Sequence, residues 1–521
     1  MSSLRDSQSS LRHFRALNTT IKTARMQSDS PRILLVNPWI TDFAAYDFWL
    51  KPMGLLYLAA VLRDAGCHVQ LIDCMDRSHP DLLAWQGLAR PQHRQWHTGK
   101  FVRTVIAKPE SYAAVPRRYA RYGLPKVIFE KLCRQCPKPD LILVTSGMTY
   151  WYPGVQQTIA ALRRLFPKTA IVLGGIYATL CTEHARRHAG ADIVMAGEGE
   201  LRIGKCVQAM LCNDAAALVA QGNERNETIA DLDQLPFPAF DLYARLPYAT
   251  LMTSRGCPLK CTFCASRLVS GQYRWRSVEN VIAEVDWLYH GLNVREFAFY
   301  DDALLTNRDR HFKPLCEQLI AKSFQAALHT PNGLQIKFID AETAQLMRRA
   351  GFQSVRLAYE SGSVERQRDM SKKVSNESFA AGVSHLRSAG FAPAQLDAYV
   401  MMALPGQTLE EVLWSMAYVH SLGVGIRLAA FSPIPGTVDY ERAVAAGDIP
   451  AHADPLLTNN SILPVRLPGA DYEVYALIAL LAKRLNSHLH STGRPMDSCG
   501  DLFARLQRAL ASKTDRFQLA E

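Results

Sequence analysis

Between residues 250 and 431 the sequence sets six short apolar runs apart by five longer stretches of helical periodicity, and this rhythm constrains the fold more than any other property of the chain. The strand-like runs fall at 250–254, 296–300, 326–330, 354–359, 396–402 and 426–431. Helical patterns lie between them near 278–289, 310–322, 341–350, 377–389 and 409–422. Connections this long suit parallel strands. Six such units predict a partial (β/α)6 barrel, and in parallel barrels chemistry gathers at the C-terminal strand ends.

The N-terminal part carries a second alternation. Arg32-Ile33-Leu34-Leu35-Val36-Asn37-Pro38 is an apolar strand running into a loop, and Pro52 then stands at the mouth of a helix. Further strands are expected at 68–73, 140–145, 170–173 and 192–196, with helices at 155–165 and 182–188. The pattern predicts a Rossmann-like doubly wound sheet whose ligand crevice lies beyond its strand C-termini. The loops there are Ser146-Gly147-Met148-Thr149, the Gly174-Gly175 turn and Gly197-Glu198-Gly199-Glu200. Glycine lets a bulky ligand approach the backbone, and hydroxyls can bind its polar parts.

After the first barrel strand comes Arg255-Gly256-Cys257-Pro258-Leu259-Lys260-Cys261-Thr262-Phe263-Cys264. Thiolates are good iron ligands, and three of them leave one iron of a 4Fe-4S cluster open for a ligand that is not protein. A zinc knot is the alternative for such spacing, but structural zinc closes with four ligands. No fourth Cys or His lies near this unit. The C-x3-C-x2-C spacing with Phe263 before the last cysteine resembles the signature of radical S-adenosylmethionine (radical SAM) enzymes. The resemblance implies that Cys257, Cys261 and Cys264 hold the cluster and that SAM chelates the open iron and is cleaved to a 5′-deoxyadenosyl radical. It also places Phe263 near the adenine.

The strand ends supply further candidates. Asp301 and Asp302 are adjacent, so one is expected to face the cavity while the other caps a helix; the resemblance places this position near SAM or substrate. Asn332 either binds SAM or makes the turn after the third strand. Glu360, in Glu360-Ser361-Gly362, ends the fourth strand after a mostly apolar run, where an acid binds a hydroxylated ligand or pairs with a cation. Radical SAM enzymes use Glu-Ser-Gly here to contact SAM, which implicates Glu360 and Ser361. The turns containing Pro405-Gly406 and Pro435-Gly436 also resemble family turns, with Pro405 and Gly406 as cofactor contacts.

In sequence and order, the first unit resembles the cobalamin-binding domain that precedes the barrel in cobalamin-dependent radical SAM enzymes. Ser146, Gly147, Thr149, Gly174 and Gly175 are its implied cobalamin contacts. The segment Asp231 to Asp241 resembles the connection that group places between its domains. The Asp-x-His-x-x-Gly loop of some cobalamin proteins is absent, and residues 39–51 contain no histidine. A histidine from that loop is therefore not expected on cobalt. A purely structural Rossmann-like unit is the other reading, since fold alone does not fix a ligand.

The expected organisation is an arm at 1–30, the cobalamin-binding unit at 31–202, a linker at 203–245, the barrel at 246–440 and a helical region at 441–521. An insertion at 78–138 is longer than an ordinary connection, is expected to contain helices and to close over the site, and holds a lone Cys133-Arg134-Gln135-Cys136 read as a helical coincidence. A helix at 472–488 is expected to pack across the open side of the barrel. The start of the chain lacks the apolar core of a secretory signal, and no apolar stretch is long enough to span a bilayer. Reduced thiols and an oxygen-sensitive cluster suit a cytoplasm. A net charge of +11 permits nucleic-acid contact without requiring it, because the excess is spread along the chain.

Together these features predict a cobalamin-dependent radical SAM enzyme that C-methylates a small-molecule or peptide substrate, served by an electron donor such as flavodoxin or ferredoxin. One alternative is rearrangement, cyclisation or oxidation without methyl transfer. A second, from another class, is a non-catalytic cobalamin or iron-sulfur sensor, which would need no SAM site. The three further cluster cysteines and RNA-binding domain of methylthiotransferases are not recognised.

Overall fold

In the computed structural model of the chain, the described residues are 30–222, 227–370 and 372–496. The arm expected at 1–30 lies almost wholly outside them, as does the end of the C-terminal region beyond 496.

Strands β1 (Arg32–Asn37), β2 (His68–Asp73), β3 (Leu141–Val144), β4 (Ala170–Leu173) and β5 (Ile193–Val194) form a parallel sheet of spatial order β2-β1-β3-β4-β5. The order reverses between β1 and β3, so the loops leaving these strands diverge and open a crevice at their C-terminal ends. Helix α1 (Met53–Asp64) buries Leu55, Leu56, Ala59 and Leu62 on one face of the sheet. Helix α3 (Tyr152–Leu165) buries Val155, Ile159 and Leu162 on the other. Between them in sequence, the insertion contains helix α2 (Lys126–Gln135), with Cys133 buried on it and Cys136 just beyond its end. It also contains short strands that the sequence pattern did not announce. Residues 120–122 pair with 40–42 on one side and 103–105 on the other in a three-stranded sheet, and 99–100 pairs with 46–47.

The second sheet consists of β6 (Ala249–Leu251), β7 (Glu296–Phe299), β8 (Ala327–Leu334), β9 (Phe352–Glu360), β10 (Leu396–Met402) and β11 (Gly425–Ala430), all parallel and adjacent in chain order. Its helices begin where local chemistry satisfies their first N–H groups. Ser277 caps α4 (Val278–Asp286), Asp340 caps α6 (Ala341–Ala350), Ser375 caps α7 (Asn376–Ser388) and Thr408 caps α8 (Leu409–Ser421). Helix α5 (Lys313–Ala321) follows a wide turn over Arg308–Phe312. Residues of alternate parity on these strands, such as Phe297, Leu357 and Val400, face the helices. The opposite parity, including Ala298, His329, Arg356 and Tyr399, faces the lumen.

The two sheets share one continuous core, which runs from Leu35 and α1 through Ile203 and Phe240 to the barrel helices. The stretch expected as a linker is therefore a packed connection carrying the helix Ile203–Leu211. After the barrel, the chain returns to the first sheet: Leu456 joins its core, Tyr112 Oη donates to the Leu456 carbonyl and Asn459 Nδ2 donates to Asp42.

Helix α9 (Tyr472–Thr492) lies along β11, where Asn486 accepts from Ile426 N and donates to Ile426 O. It thus closes the last strand's exposed edge, as a further strand would. No described helix is long and apolar enough to cross a membrane.

Candidate active site

The three cysteines occupy the loop that leaves β6. Gly256, at φ +79°, makes the turn that sends this loop over the barrel mouth; a Cβ there would stand 2.8 Å from the Gln272 carbonyl. The loop is pinned from the far side by Thr262, whose hydroxyl donates to Asp439 at 2.8 Å and whose carbonyl accepts from Asp439 N. Burial pushes the Cys264 thiol up to about 11, and Cys261, Asp302 and Cys257 add to the rise. Cys257 is raised by burial too, again with Cys261 and Asp302 contributing. The sulfurs are thus close enough to disfavour one another as thiolates, a situation that a bound metal cation reverses. Among the described residues, no three His, Cys, Asp or Glu side chains are grouped as a single metal ion would require. A cubane needs no such convergence, because its thiolates bind different irons.

Beside this loop, at the C-terminal ends of β8, β9 and β10, lies a cleft of about 260 Å³ lined by Asp302, Asn332, Glu360, Lys373 and Tyr399, among others. Two irregularities of the sheet aim these side chains. The β9–β10 register slips between Ala358 and Glu360, and Glu360 adopts a left-handed φ of +69°. The β8–β9 register slips between Thr330 and Leu334, displacing Asn332, whose Nδ2 donates to the carbonyls of Tyr300 and Asp301. Such bulges at strand ends redirect side chains toward a site. Glu360 accepts from Lys373 Nζ at 2.6 Å, and both are buried.

Lys373 is the residue that the sequence pattern missed. Burial alone would lower its pKa, but Glu360, Cys261 and Cys264 outweigh that and raise it. Its ammonium also lies 5.3 Å from the centre of the Phe263 ring, which packs beside Met370, Met401 and Phe431. Nothing in Ser371-Lys372-Lys373 distinguishes this lysine from a solvated one; only the fold places it opposite the cysteines.

The other candidates divide. Asp302 reaches the cleft and the Ser266 hydroxyl. Asp301 turns inward instead, accepting from Thr253 Oγ1 at 2.8 Å and Ser254 Oγ at 2.5 Å, and burial pushes its pKa up to about 6. It braces the start of the cysteine loop. Ser361 faces away from the cleft and donates to Glu411, which Arg366 also holds. The Pro405 carbonyl accepts from Arg366, and Gly406, at φ +68°, stands in open space.

Beyond the C-terminal ends of the first sheet is a cavity of about 410 Å³, which Gly147, Gly174 and Gly175 line on one side and Met252, Arg255 and Tyr300 on the barrel side. Gly175 has φ +91°, and a Cβ on it would meet Ser146 O at 2.4 Å and N at 2.6 Å, so the ends of β3 and β4 touch through their backbones. The Ser146 hydroxyl is engaged with Gly174 O and Ala178 N. Thr149 is buried against the Thr458 hydroxyl at 3.3 Å and does not line the cavity. The crevice is thus a backbone cradle with apolar walls, including Leu50, Leu58, Leu143 and Met195. This shape and chemistry fit a large, flat macrocycle.

The loop Gly197-Glu198-Gly199-Glu200 connects cavity and cysteines. Glu200 accepts from Arg255 at 2.7 Å, and Glu198 lies 3.4 Å from Arg255 and 2.5 Å from Arg274. Burial alone would raise the Glu198 pKa, but these arginines hold it below the usual carboxylate value. Arg255 stands two residues before Cys257, so the end of the first sheet holds the root of the cysteine loop.

Family comparisons agree with this two-part site. The radical SAM superfamily matches residues 251–419 and the B12 binding domain matches residues 127–206. An uncharacterized methyltransferase of Pyrococcus horikoshii is 26% identical over 329 residues, covering 59% of this chain and 70% of the relative. The cytidylyl-2-hydroxyethylphosphonate methyltransferase of Streptomyces wedmorensis is 24% identical over 474 residues, covering 80% of this chain and 82% of its own. Among solved structures, the radical SAM methyltransferase TsrM from Kitasatospora setae, with cobalamin and a [4Fe-4S] cluster bound, shares the fold at a TM-score of 0.58 and 16% identity, covering 79% of this chain and 74% of its own. The cobalamin-dependent radical enzyme OxsB, with aqua-cobalamin and SAM bound, shares it at a TM-score of 0.53 and 12% identity, covering 93% and 76%. With a B12-binding unit at 127–206 followed by a radical SAM unit at 251–419, the chain has the two units and the domain order of the cobalamin-dependent radical SAM enzymes.

Proposed function

We propose that this enzyme methylates an unactivated carbon of a small-molecule or peptide substrate. One observation carries the reading: Tyr300 links the two cavities. Tyr300 lines the first-sheet cavity, and its carbonyl accepts at 2.9 Å from Asn332, which lines the cleft beside the cysteines. A substrate seated there is within reach of both, and the relatives named as methyltransferases make methyl transfer the outcome favoured over rearrangement or oxidation.

When bound, the cluster and SAM supply a radical that abstracts hydrogen, and cobalamin supplies the methyl group. The protein's own part is placement. Cys257, Cys261 and Cys264 would hold the cluster. Lys373 would face the SAM carboxylate, while Glu360 would accept from its amino or hydroxyl groups. Asn332 and Asp302 would border the adenosyl portion, with Phe263 against the adenine. Gly174 and Gly175 would let the corrin lie against backbone, and apolar walls would exclude water and rival hydrogen donors. An electron donor of the flavodoxin or ferredoxin kind, in a reducing cytoplasm, completes the requirement.

The test is anaerobic reconstitution with iron, sulfide, hydroxocobalamin, reductant and methyl-deuterated SAM, alongside extracts of a deletion strain as a substrate source. Methylation predicts 5′-deoxyadenosine, S-adenosylhomocysteine and a deuteromethylated product together. 5′-Deoxyadenosine alone, with no cobalamin retained, would assign rearrangement or oxidation instead, and neither nucleoside would leave only a sensor.

A further inference from the structure

We infer that Arg356 forms an anion-binding subsite and that the substrate carries an oxyanion, a phosphoryl or carboxylate group, which this guanidinium holds. The inference rests on the enzymatic reading above and adds the chemical class of its substrate.

Arg356 points into the barrel lumen from the middle of β9, on the parity of Ala358 and four residues before Glu360. Its neighbour in register is Asp397 on β10. That carboxylate would be the natural partner, yet it pairs with Arg427 at 2.9 Å. Among the described residues, no acid is ion-paired with Arg356. Its side chain makes one hydrogen bond there, from Nη1 to Tyr399 Oη at 2.7 Å. Tyr399 in turn donates to the Pro331 carbonyl at 2.7 Å and lines the cleft beside the cysteines. The guanidinium plane therefore reaches toward the cofactor cleft and stays out of the strand it grows from.

Two rings set its position. The guanidinium carbon lies 3.8 Å from the centre of the Phe48 ring and 5.5 Å from that of Tyr399. Phe48 comes from the loop after β1, and its carbonyl accepts from the hydroxyl of Tyr300, which lines the first-sheet cavity and whose own carbonyl holds Asn332 of the cleft. A half-buried arginine oriented by aromatic faces, with most of its N–H fork unused, is arranged for bidentate binding of an oxyanion. An isolated cation in such a place weakens the fold unless a ligand completes it. Arg356 thus stands one hydrogen bond behind Tyr399, which lines the cleft, and one ring contact from Phe48, which is bonded to Tyr300 of the first-sheet cavity.

The experiment is calorimetric titration of the full-length enzyme, reconstituted anaerobically with cluster, cobalamin and saturating SAM but without reductant. The probes are phenylphosphonate, benzoate and benzyl alcohol. Wild type is expected to bind at least one anion and to bind the neutral alcohol far more weakly. Arg356→Met should weaken the anion by about ten-fold or more, with Arg356→Lys in between because it keeps charge but loses the fork. Preference for phenylphosphonate assigns a phosphoryl substrate, and preference for benzoate a carboxylate. Equal anion binding by wild type and the folded Met variant, equal binding of the alcohol, or no anion binding by wild type overturns the inference. Wild type that binds the anion through Arg356 but forms no 5′-deoxyadenosine once reductant is added would defeat the enzymatic reading alone, so the two failures are separable.

Discussion

Arg255 and Glu200 meet at 2.7 Å across the junction of the two sheets, with both side chains less than a tenth exposed. The ion pair ties the end of β5 to the loop that carries the cysteines, and Glu198 adds Arg274 to the same network. Removing one partner from a buried pair leaves an uncompensated charge, which typically costs about 3–5 kcal/mol. Glu200→Gln leaves Arg255 facing Glu198 at 3.4 Å, so it should destabilise the protein by less, about 1–3 kcal/mol. The double variant Glu200→Gln, Arg255→Met should lose less than the two single variants added together, and a double-mutant cycle of chemical unfolding checks this.

Lys373 and Glu360 form a second buried pair, now inside the cofactor cleft. Lys373→Met should destabilise the fold by about 3 kcal/mol or more and raise the KM for SAM. Adding Glu360→Gln should restore part of the stability without restoring SAM affinity. Recovery of both would mean that the pair is structural only.

Gly175 and Gly406 both have left-handed backbone, yet they should respond differently to alanine. At Gly175 the new methyl would collide with the Ser146 backbone, whereas at Gly406 it would meet nothing within 4 Å. Gly406→Ala should cost about 1 kcal/mol, the conformational penalty alone. Gly175→Ala should cost about 3 kcal/mol or more and release cobalamin during purification. Thermal unfolding and the visible absorption of the purified proteins report the two effects.

Two buried groups give pH dependences of opposite sign. Burial raises Asp301 from 3.8 to about 6, so its contribution to stability is full below the unfolded value and is lost as pH rises through the folded one. Relative to Asp301→Asn, wild type should lose about 3 kcal/mol between pH 4 and 7. Burial, with His97 adding to it, lowers His329 from 6.5 to about 3, so its contribution is full above the unfolded value and is lost as pH falls. Relative to His329→Gln, wild type should gain stability by a few kcal/mol between pH 4 and 7. Denaturant titrations of each pair across this range check both slopes.

The strand and helix rhythm was legible because each barrel strand buries one face against helices and ends in a polar turn. That is why Asp302, Asn332 and Glu360 could be picked out and do share one cleft. The left-handed turn that aims Glu360 was not legible, because no glycine marks it. Lys373 escaped because its burial depends on tertiary contacts with Glu360 and Phe263. The hydroxyls of Ser146 and Thr149 are consumed by partners 28 and 309 residues away, which no local pattern discloses. The three-residue strands at 40–42, 103–105 and 120–122, and the shorter pair 46–47 with 99–100 that runs into Phe48, are too short to leave a periodic trace.

The central claim is a three-cysteine cluster with one iron reserved for SAM, and Mössbauer spectroscopy of protein reconstituted with 57Fe, before and after SAM addition, tests it most directly. The account predicts a 4Fe-4S signal in which one iron changes on SAM binding, and its loss in Cys257→Ala. A cluster of another type, or four irons indifferent to SAM, would contradict it.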